Sequence, residues 1–141
     1  MSDVIRATQA PKPVGAYPHA RRVGNLLFLS GVGPRDPSTN AIIGNVYDAS
    51  GRLISYDIEV QCRAVFANVR TILEASGARW EDLVDVTVFL TDMTHDFAAY
   101  NRVYTEYFTD AQPCRTTLGI TALPTHIAIE LKCIAALQED R

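Results

Sequence analysis

The stretch from Pro113 to Ala136 constrains the fold more than any other. It reads as two strand-like runs separated by Leu123-Pro124, with Arg115 opening the first run and Glu130 in the middle of the second. In the second run Ile127, Ile129, Leu131, Cys133 and Ala135 share one parity, while His126, Ala128, Glu130 and Lys132 share the other. A two-residue period marks a strand with one buried face. Glu130 is thus an acid on a sheet, where withdrawing a charge from water costs on the order of several kcal/mol unless it is paired or neutralised. Arg115, Lys132 and His126 are the nearby groups able to compensate it.

The rest of the chain supplies partners for such a sheet. Asp3 to Thr8 reads as a short edge strand, and Pro11 and Pro13 make the next residues an arm, because proline lacks the ladder donor. His19 to Val23 and Leu26 to Ser30 are two strands joined at Gly24-Asn25, with Gly31 and Gly33 after the second. Pro34 to Tyr56 is a surface excursion of turn residues and short β-like pieces, Ala41-Ile42-Ile43 and Asn45 to Ser55 around Ser50-Gly51, with a second small hairpin. Asp57 caps a helix in which Ile58, Cys62, Val65, Phe66, Val69, Ile72 and Leu73 recur at three- and four-residue spacing, stopped at Gly77. Leu83 to Thr91 alternates as a strand, and Phe97 to Phe108 carries an aromatic stripe at helical spacing. A chain of 141 residues with this pattern is expected to form one α+β domain, a mixed β-sheet packed on two helices.

Several function classes are disfavoured by composition and motif. Thirteen Lys and Arg against sixteen Asp and Glu give a net charge of −3 without a basic run, which argues against nucleic acid as a main partner. Three cysteines, Cys62, Cys114 and Cys133, lack metal-ligand spacing and suit free thiols in a reducing, cytoplasmic setting. No run approaches the ~18 apolar residues of a membrane span, and no membrane association is expected. The phosphate-cradling G-x-x-x-x-G-K-S/T and the G-x-S-x-G of serine hydrolases are absent. His19, His95 and His126 are too scattered to indicate a metal site.

Arg115 and Glu130 are what remain. A guanidinium presents a planar fork matched to a carboxylate, and a carboxyl group can pass protons to and from a bound water. From the residues alone, a structural Arg–Glu pair between strands is at least as good an account as a catalytic one. Tyr17 alone is a packing residue and Asn101 a helix-surface residue.

A resemblance shifts that balance. P-x-R-x-x-L at Pro113 to Leu118, Leu123-Pro124 and Ile129-Glu130-Leu131 resemble the RidA (YjgF-type) family of enamine and imine deaminases. Gly15-Ala16-Tyr17, Gly24-Asn25 with Ser30-Gly31, the helix after Asp57, and Tyr100-Asn101 with Tyr104 and Phe108 come in the family's order, so the likeness covers nearly the whole chain. It implies a chorismate-mutase-like, trimer-forming fold with sites between subunits of a homotrimer, or of an assembly of trimers, and no cofactor. It assigns Arg115 to the substrate carboxylate, Glu130 to activating water, and Tyr17, Ser30, Gly31, Asn101 and Thr117 to the site. Ala16 for the usual proline, Val32 for a common glutamine and Thr117 for a frequent cysteine depart from the family and would change the pocket walls.

Within the family the chain resembles most the 2-aminomuconate deaminases, through the long Pro34 to Tyr56 excursion, Gly31-Val32-Gly33-Pro34-Arg35 and the run Leu118 to Pro124. That substrate is a dicarboxylate, and its distal carboxylate needs a donor. Arg35 is the first choice, with Lys132 and His19 as further suppliers. The alternatives are a general 2-iminoacid deaminase that removes 2-aminoacrylate, and a non-enzymatic small-acid binding module on the same scaffold.

Overall fold

The structure, a computed structural model, describes residues 3–139. Its main sheet has six strands: β1 (Val4–Ile5), β2 (Ala20–Val23), β3 (Leu26–Leu29), β6 (Leu83–Leu90), β7 (Cys114–Gly119) and β8 (Ile129–Ala136). They lie in the order β1-β2-β3-β8-β6-β7. All neighbours are antiparallel except β6 and β7, which run parallel. A parallel pair needs a crossover, and α2 (Met93–Tyr107) supplies it. The last strand in sequence therefore lies inside the sheet, between β3 and β6, and carries Glu130 with it. The β2–β3 turn places Gly24 at φ +62°, a value that favours glycine.

Helix α1 (Ile58–Ala75) starts where expected, because the Asp57 side chain accepts from the Val60 N–H at 3.2 Å. Helix α2 starts four residues before the first aromatic of its stripe. Asp92 accepts from the His95 N–H at 3.1 Å and so begins the helix at Met93. Both helices cover one face of the sheet. Val86, Val88 and Leu90 of β6 and Ile129, Leu131, Cys133 and Ala135 of β8 are fully buried there with Cys62, Val65, Phe66, Val69, Tyr100 and Val103. Each large apolar side chain so enclosed contributes about 1.5 to 3 kcal/mol. Burial pushes the thiols of Cys62 and Cys133 up to about 12, which leaves them as neutral core residues.

Among the described residues no helix packs on the opposite face. Phe28 and Ile134 are paired across β3 and β8, Phe89 and Leu118 across β6 and β7, and all four are only partly covered or exposed. Leu26 and Val23 continue this apolar surface toward β2.

Within the excursion, Ala41 to Ile43 does not form a strand. Arg35 and Ile42 make a single bridge, and the hairpin is β4 (Asn45–Tyr47) with β5 (Leu53–Tyr56) as a separate two-stranded sheet. Buried polar side chains fix it to the domain. Gln61 of α1 donates to Asn45 Oδ1 at 2.8 Å and accepts from the Ala128 N–H at 2.9 Å, and Asn45 donates to the His126 carbonyl at 2.8 Å. Tyr56 donates to Asp96 of α2 at 2.6 Å. Leaving a buried amide such as Gln61 unpaired would cost about 1 to 3 kcal/mol, so the hairpin and the segment before β8 are held as one piece.

Candidate active site

Register decides where Arg115 and Glu130 stand. Directly opposed residues share a face; Glu130 opposes Phe89 of β6, and Arg115 opposes Val86. Phe89 and Val86 are three positions apart on one strand, an odd number, so their side chains leave the sheet on opposite sides. Glu130 belongs to the open face and Arg115 to the helix-covered face. They cannot form an ion pair within one chain, which removes the structural-pair reading and separates the candidate residues into two groups.

The first group gathers around Glu130. Val32 pairs with Leu131 through two backbone bonds, Val32 N–H to Leu131 O at 2.9 Å and Leu131 N–H to Val32 O at 3.0 Å. This lays Gly31 against the Glu130 carboxylate. A Cβ on Gly31 would stand 2.7 Å from Glu130 Oε2, closer than real Cβ atoms come. Tyr17, Gly31, Arg35, Pro124 and Thr125 line a cavity with Glu130. The Tyr17 hydroxyl accepts from the Val14 N–H at 3.2 Å, and Ser30 Oγ donates to the Pro18 carbonyl at 2.7 Å.

Glu130 itself is half-buried, and no hydrogen bond or ion pair reaches its carboxylate among the described residues. The expected compensators are engaged elsewhere or face away. Lys132 donates to the Leu29 carbonyl, Arg115 lies on the other face, and the His126 ring tilts on Tyr47 with centroids 6.2 Å apart. Burial, with nothing to oppose it, raises the Glu130 pKa above the usual carboxylate value. A carboxyl group so placed can both give and take a proton.

The second group lies where β7 meets α2. Arg115 is exposed; its Nη1 donates to Asn101 Oδ1 at 2.7 Å, and its guanidinium lies 4.7 Å from the Tyr104 ring centroid and 5.6 Å from that of Tyr100. Thr117, two positions on and on the same face, shares a 2.9 Å hydrogen bond with the Tyr100 hydroxyl. The aromatic floor and the asparagine orient the guanidinium while leaving N–H groups free for an anion. Among the described residues no carboxylate pairs with Arg115.

Two features went unread in the sequence. Asn68 of α1, nearly fully buried, donates to the Gly33 and Arg35 carbonyls at 2.9 Å each and so sets the loop that carries Arg35. Its signal was position: Gln61 and Asn68 fall in the apolar stripe with Val65 and Ile72, where a polar side chain must be bonded. His19, expected as a supplier for a distal carboxylate, has both ring nitrogens bonded to backbone, Nδ1 to the Ala7 N–H and Nε2 to the Pro11 carbonyl. It is therefore not free to hold a ligand. Arg35 is also engaged, donating to Asn40 Oδ1 and the Lys12 carbonyl, yet it remains a wall of the Glu130 cavity. Among the described residues there is no group of three or more His, Cys, Asp or Glu side chains that could hold a metal ion, and no helix is long and apolar enough to cross a membrane.

This arrangement defines a class of protein with relatives of known structure. A family model described as Endoribonuclease L-PSP matches residues 7–137. A RutC family protein of Pyrococcus horikoshii is 41% identical over 135 residues, 96% of this chain and 98% of that protein. The chloroplastic Reactive Intermediate Deaminase A of Arabidopsis thaliana is 36% identical over 96% of this chain and 66% of its own length. The crystal structure of the YjgF gene product from E. coli superposes with a TM-score of 0.81 at 31% identity, covering 97% of this chain and all (100%) of that one. E. coli TdcF with bound serine gives 0.81 at 30% identity, over 96% of this chain and 98% of that one. The chain belongs to the RidA/YjgF family, and its two helices on a mixed sheet are that family's fold.

Proposed function

We propose that this protein is a cofactor-independent hydrolytic deaminase of enamine and imine acids, with each site assembled from two copies of the chain. One copy supplies Glu130 with Tyr17, Ser30 and Gly31; a second supplies Arg115 with Asn101 and Thr117. The observation that carries this reading is the pair of unmatched charges, a half-buried carboxyl and an aromatic-cushioned guanidinium, fixed on opposite faces of one sheet. Neither half alone both holds a small acid and hydrolyses it. The uncovered apolar face around Phe28, Phe89, Leu118 and Ile134 is the surface on which copies would pack, in the trimer that the family resemblance implies.

The chemistry needs only these groups and water. Arg115 holds the carboxylate beside the amino group. Glu130, its pKa raised by burial, protonates the enamine carbon to give the iminium. As a carboxylate it then takes a proton from water, whose oxygen adds to the C=N carbon. The carbinolamine returns to a ketone as the C–N bond breaks and ammonia leaves with the transferred proton. Net, one enamine and one water give one ketone and one ammonia.

Within this class the substrate we favour is 2-aminomuconate, converted to its 2-oxo (enol) product. What supports it is Arg35, a second cation in the wall of the Glu130 cavity and in a loop fixed by Asn68. In this reading Arg35 would be the donor for the far carboxylate of the extended diacid. The likeness to a reactive intermediate deaminase favours a second reading, general removal of short enamines such as 2-aminoacrylate. An ammonia-release assay on both substrates separates them. Higher kcat/KM on 2-aminomuconate is expected; higher kcat/KM on 2-aminoacrylate makes the protein a general scavenger, and no release from either leaves only the binding-module reading.

A further inference from the structure

We infer that His19 is a positioning residue: a neutral imidazole that clasps the N-terminal arm against the Glu130 half of the site. The inference rests on the deaminase reading, since it concerns a wall of that same site.

His19 stands at the start of β2 and all its polar atoms are committed. Its N–H donates to the Ile5 carbonyl at 3.1 Å and its carbonyl accepts from the Ser30 N–H at 3.0 Å. Its Nδ1 accepts from the Ala7 N–H at 3.0 Å, and its Nε2 lies 2.8 Å from the Pro11 carbonyl. The partners fix the tautomer. A backbone N–H can only donate, so Nδ1 carries the lone pair; a carbonyl can only accept, so Nε2 carries the hydrogen. The geometry is satisfied by the neutral ring alone, because a second ring N–H would face the Ala7 N–H donor to donor.

What the ring holds adjoins the site, whose Glu130 cavity is lined by Val14 of the same arm. Between its two partners the chain buries Ala7 and Ala10, and the prolines beyond them, Pro11 and Pro13, line a cavity with Tyr17, His19, Ser30 and Gly31. Gly31 is the residue whose other side meets Glu130. The same arm gives Arg35 an acceptor, the Lys12 carbonyl. The His19 backbone thus links β1 to Ser30, and its ring holds the arm from Ala7 to Pro11, next to the Lys12 carbonyl that Arg35 contacts. The charged and titratable groups facing this cavity are Tyr17 and Arg35; β3 and the loop after it present Ser30, Gly31 and Val32 and α1 presents Ile72, all uncharged. No carboxylate lines this cavity to favour an imidazolium. A ring with hydrogen on both nitrogens would have no acceptor for Ala7 and would be a second cation in the cavity with Arg35.

The test compares wild type with His19→Gln and His19→Ala. Glutamine offers a neutral oxygen acceptor and N–H donor, so it can hold both contacts. The first readout is the amide-exchange protection factor of Ala7, which needs no activity. It should be kept in His19→Gln and fall roughly tenfold in His19→Ala. The second readout is ammonia release from 2-aminomuconate and 2-aminoacrylate: His19→Ala should raise KM roughly tenfold with a smaller change in kcat, and His19→Gln should restore it. Ala7 protection that is lost in a folded His19→Gln overturns the proposal even where His19→Ala fails to fold, and protection kept in a folded His19→Ala overturns it as well. Ammonia release with the same KM in wild type and His19→Ala overturns it too and leaves the deaminase reading standing. The expected exchange behaviour without ammonia release from any substrate supports the clasp and removes the deaminase reading.

Discussion

The Glu130 end of the sheet and the Arg115 end carry opposite charges in opposite settings. Glu130 is half-buried against a glycine with no partner, and burial raises its pKa; Arg115 is exposed, laid over two tyrosines and held by an asparagine. An unpaired carboxyl away from water is a group kept reactive, whereas an oriented guanidinium in water is a group kept available for an anion. Each half does what the other cannot. The difference is what the proposed two-copy site requires, in which each copy would give one fragment to each of two sites.

The sharpest way to break that comparison is to disable each half separately. Glu130→Gln should lower kcat for ammonia release by roughly 10²- to 10⁴-fold, the usual contribution of a general acid–base group, with substrate binding largely retained. Arg115→Ala should be similarly inactive at ordinary substrate levels. Co-refolding the two inactive variants should then restore activity to roughly a quarter of wild type, since random assembly joins an intact Glu130 half to an intact Arg115 half at about that frequency. A mixture as inactive as its components would mean that the site does not span two copies.

A milder change sharpens the Arg115 half. Lysine keeps the charge but not the fork, so Arg115→Lys should raise KM by about 1.5 to 3 kcal/mol, roughly 10- to 150-fold, with kcat changed much less. Wild-type KM in this variant would end the anchoring role.

Why the two halves could not be separated in the sequence is instructive. The alternation around Glu130 and in Leu83 to Leu90 was legible because those strands are central and bury one face. In β7 the residues Cys114, Arg115, Thr116 and Thr117 carry no such contrast, because an edge strand is exposed on both sides for much of its length. Which face Arg115 takes depends on the parallel register of β7 with β6, a long-range fact that no local pattern encodes. The helix after Asp57 was legible down to its cap, whereas the earlier start of α2 rested on Asp92, just ahead of the periodic stripe that announced the helix. His19 looked like a spare cation because a side chain's bonds to distant backbone leave no trace in spacing.

Arg35 tests whether the Glu130 half also selects the substrate. Arg35→Ala should raise KM for 2-aminomuconate roughly tenfold and leave 2-aminoacrylate unchanged, because only the longer acid has a second carboxylate to lose a charged hydrogen bond. An equal effect on both substrates would make Arg35 a support for the loop it shares with Gly33 and Asn68 instead of a determinant of specificity.

The smallest expected effect is thermodynamic. Burial raises the Glu130 pKa above 4.5, so the folded chain holds that proton more tightly than the unfolded chain. From pH 4.5 up through the raised folded value, the folded state binds more protons, and stability falls as pH rises. The contribution is full below that window and lost above it. Glutamine has no proton to lose, so Glu130→Gln should melt with wild type at low pH and a few degrees higher at neutral pH. A second copy's Arg115 would oppose this by favouring the carboxylate. The melting difference between Glu and Gln should therefore widen when measured in an Arg115→Ala background. A difference that stays the same would place Arg115 of every copy too far from Glu130 to share a substrate with it.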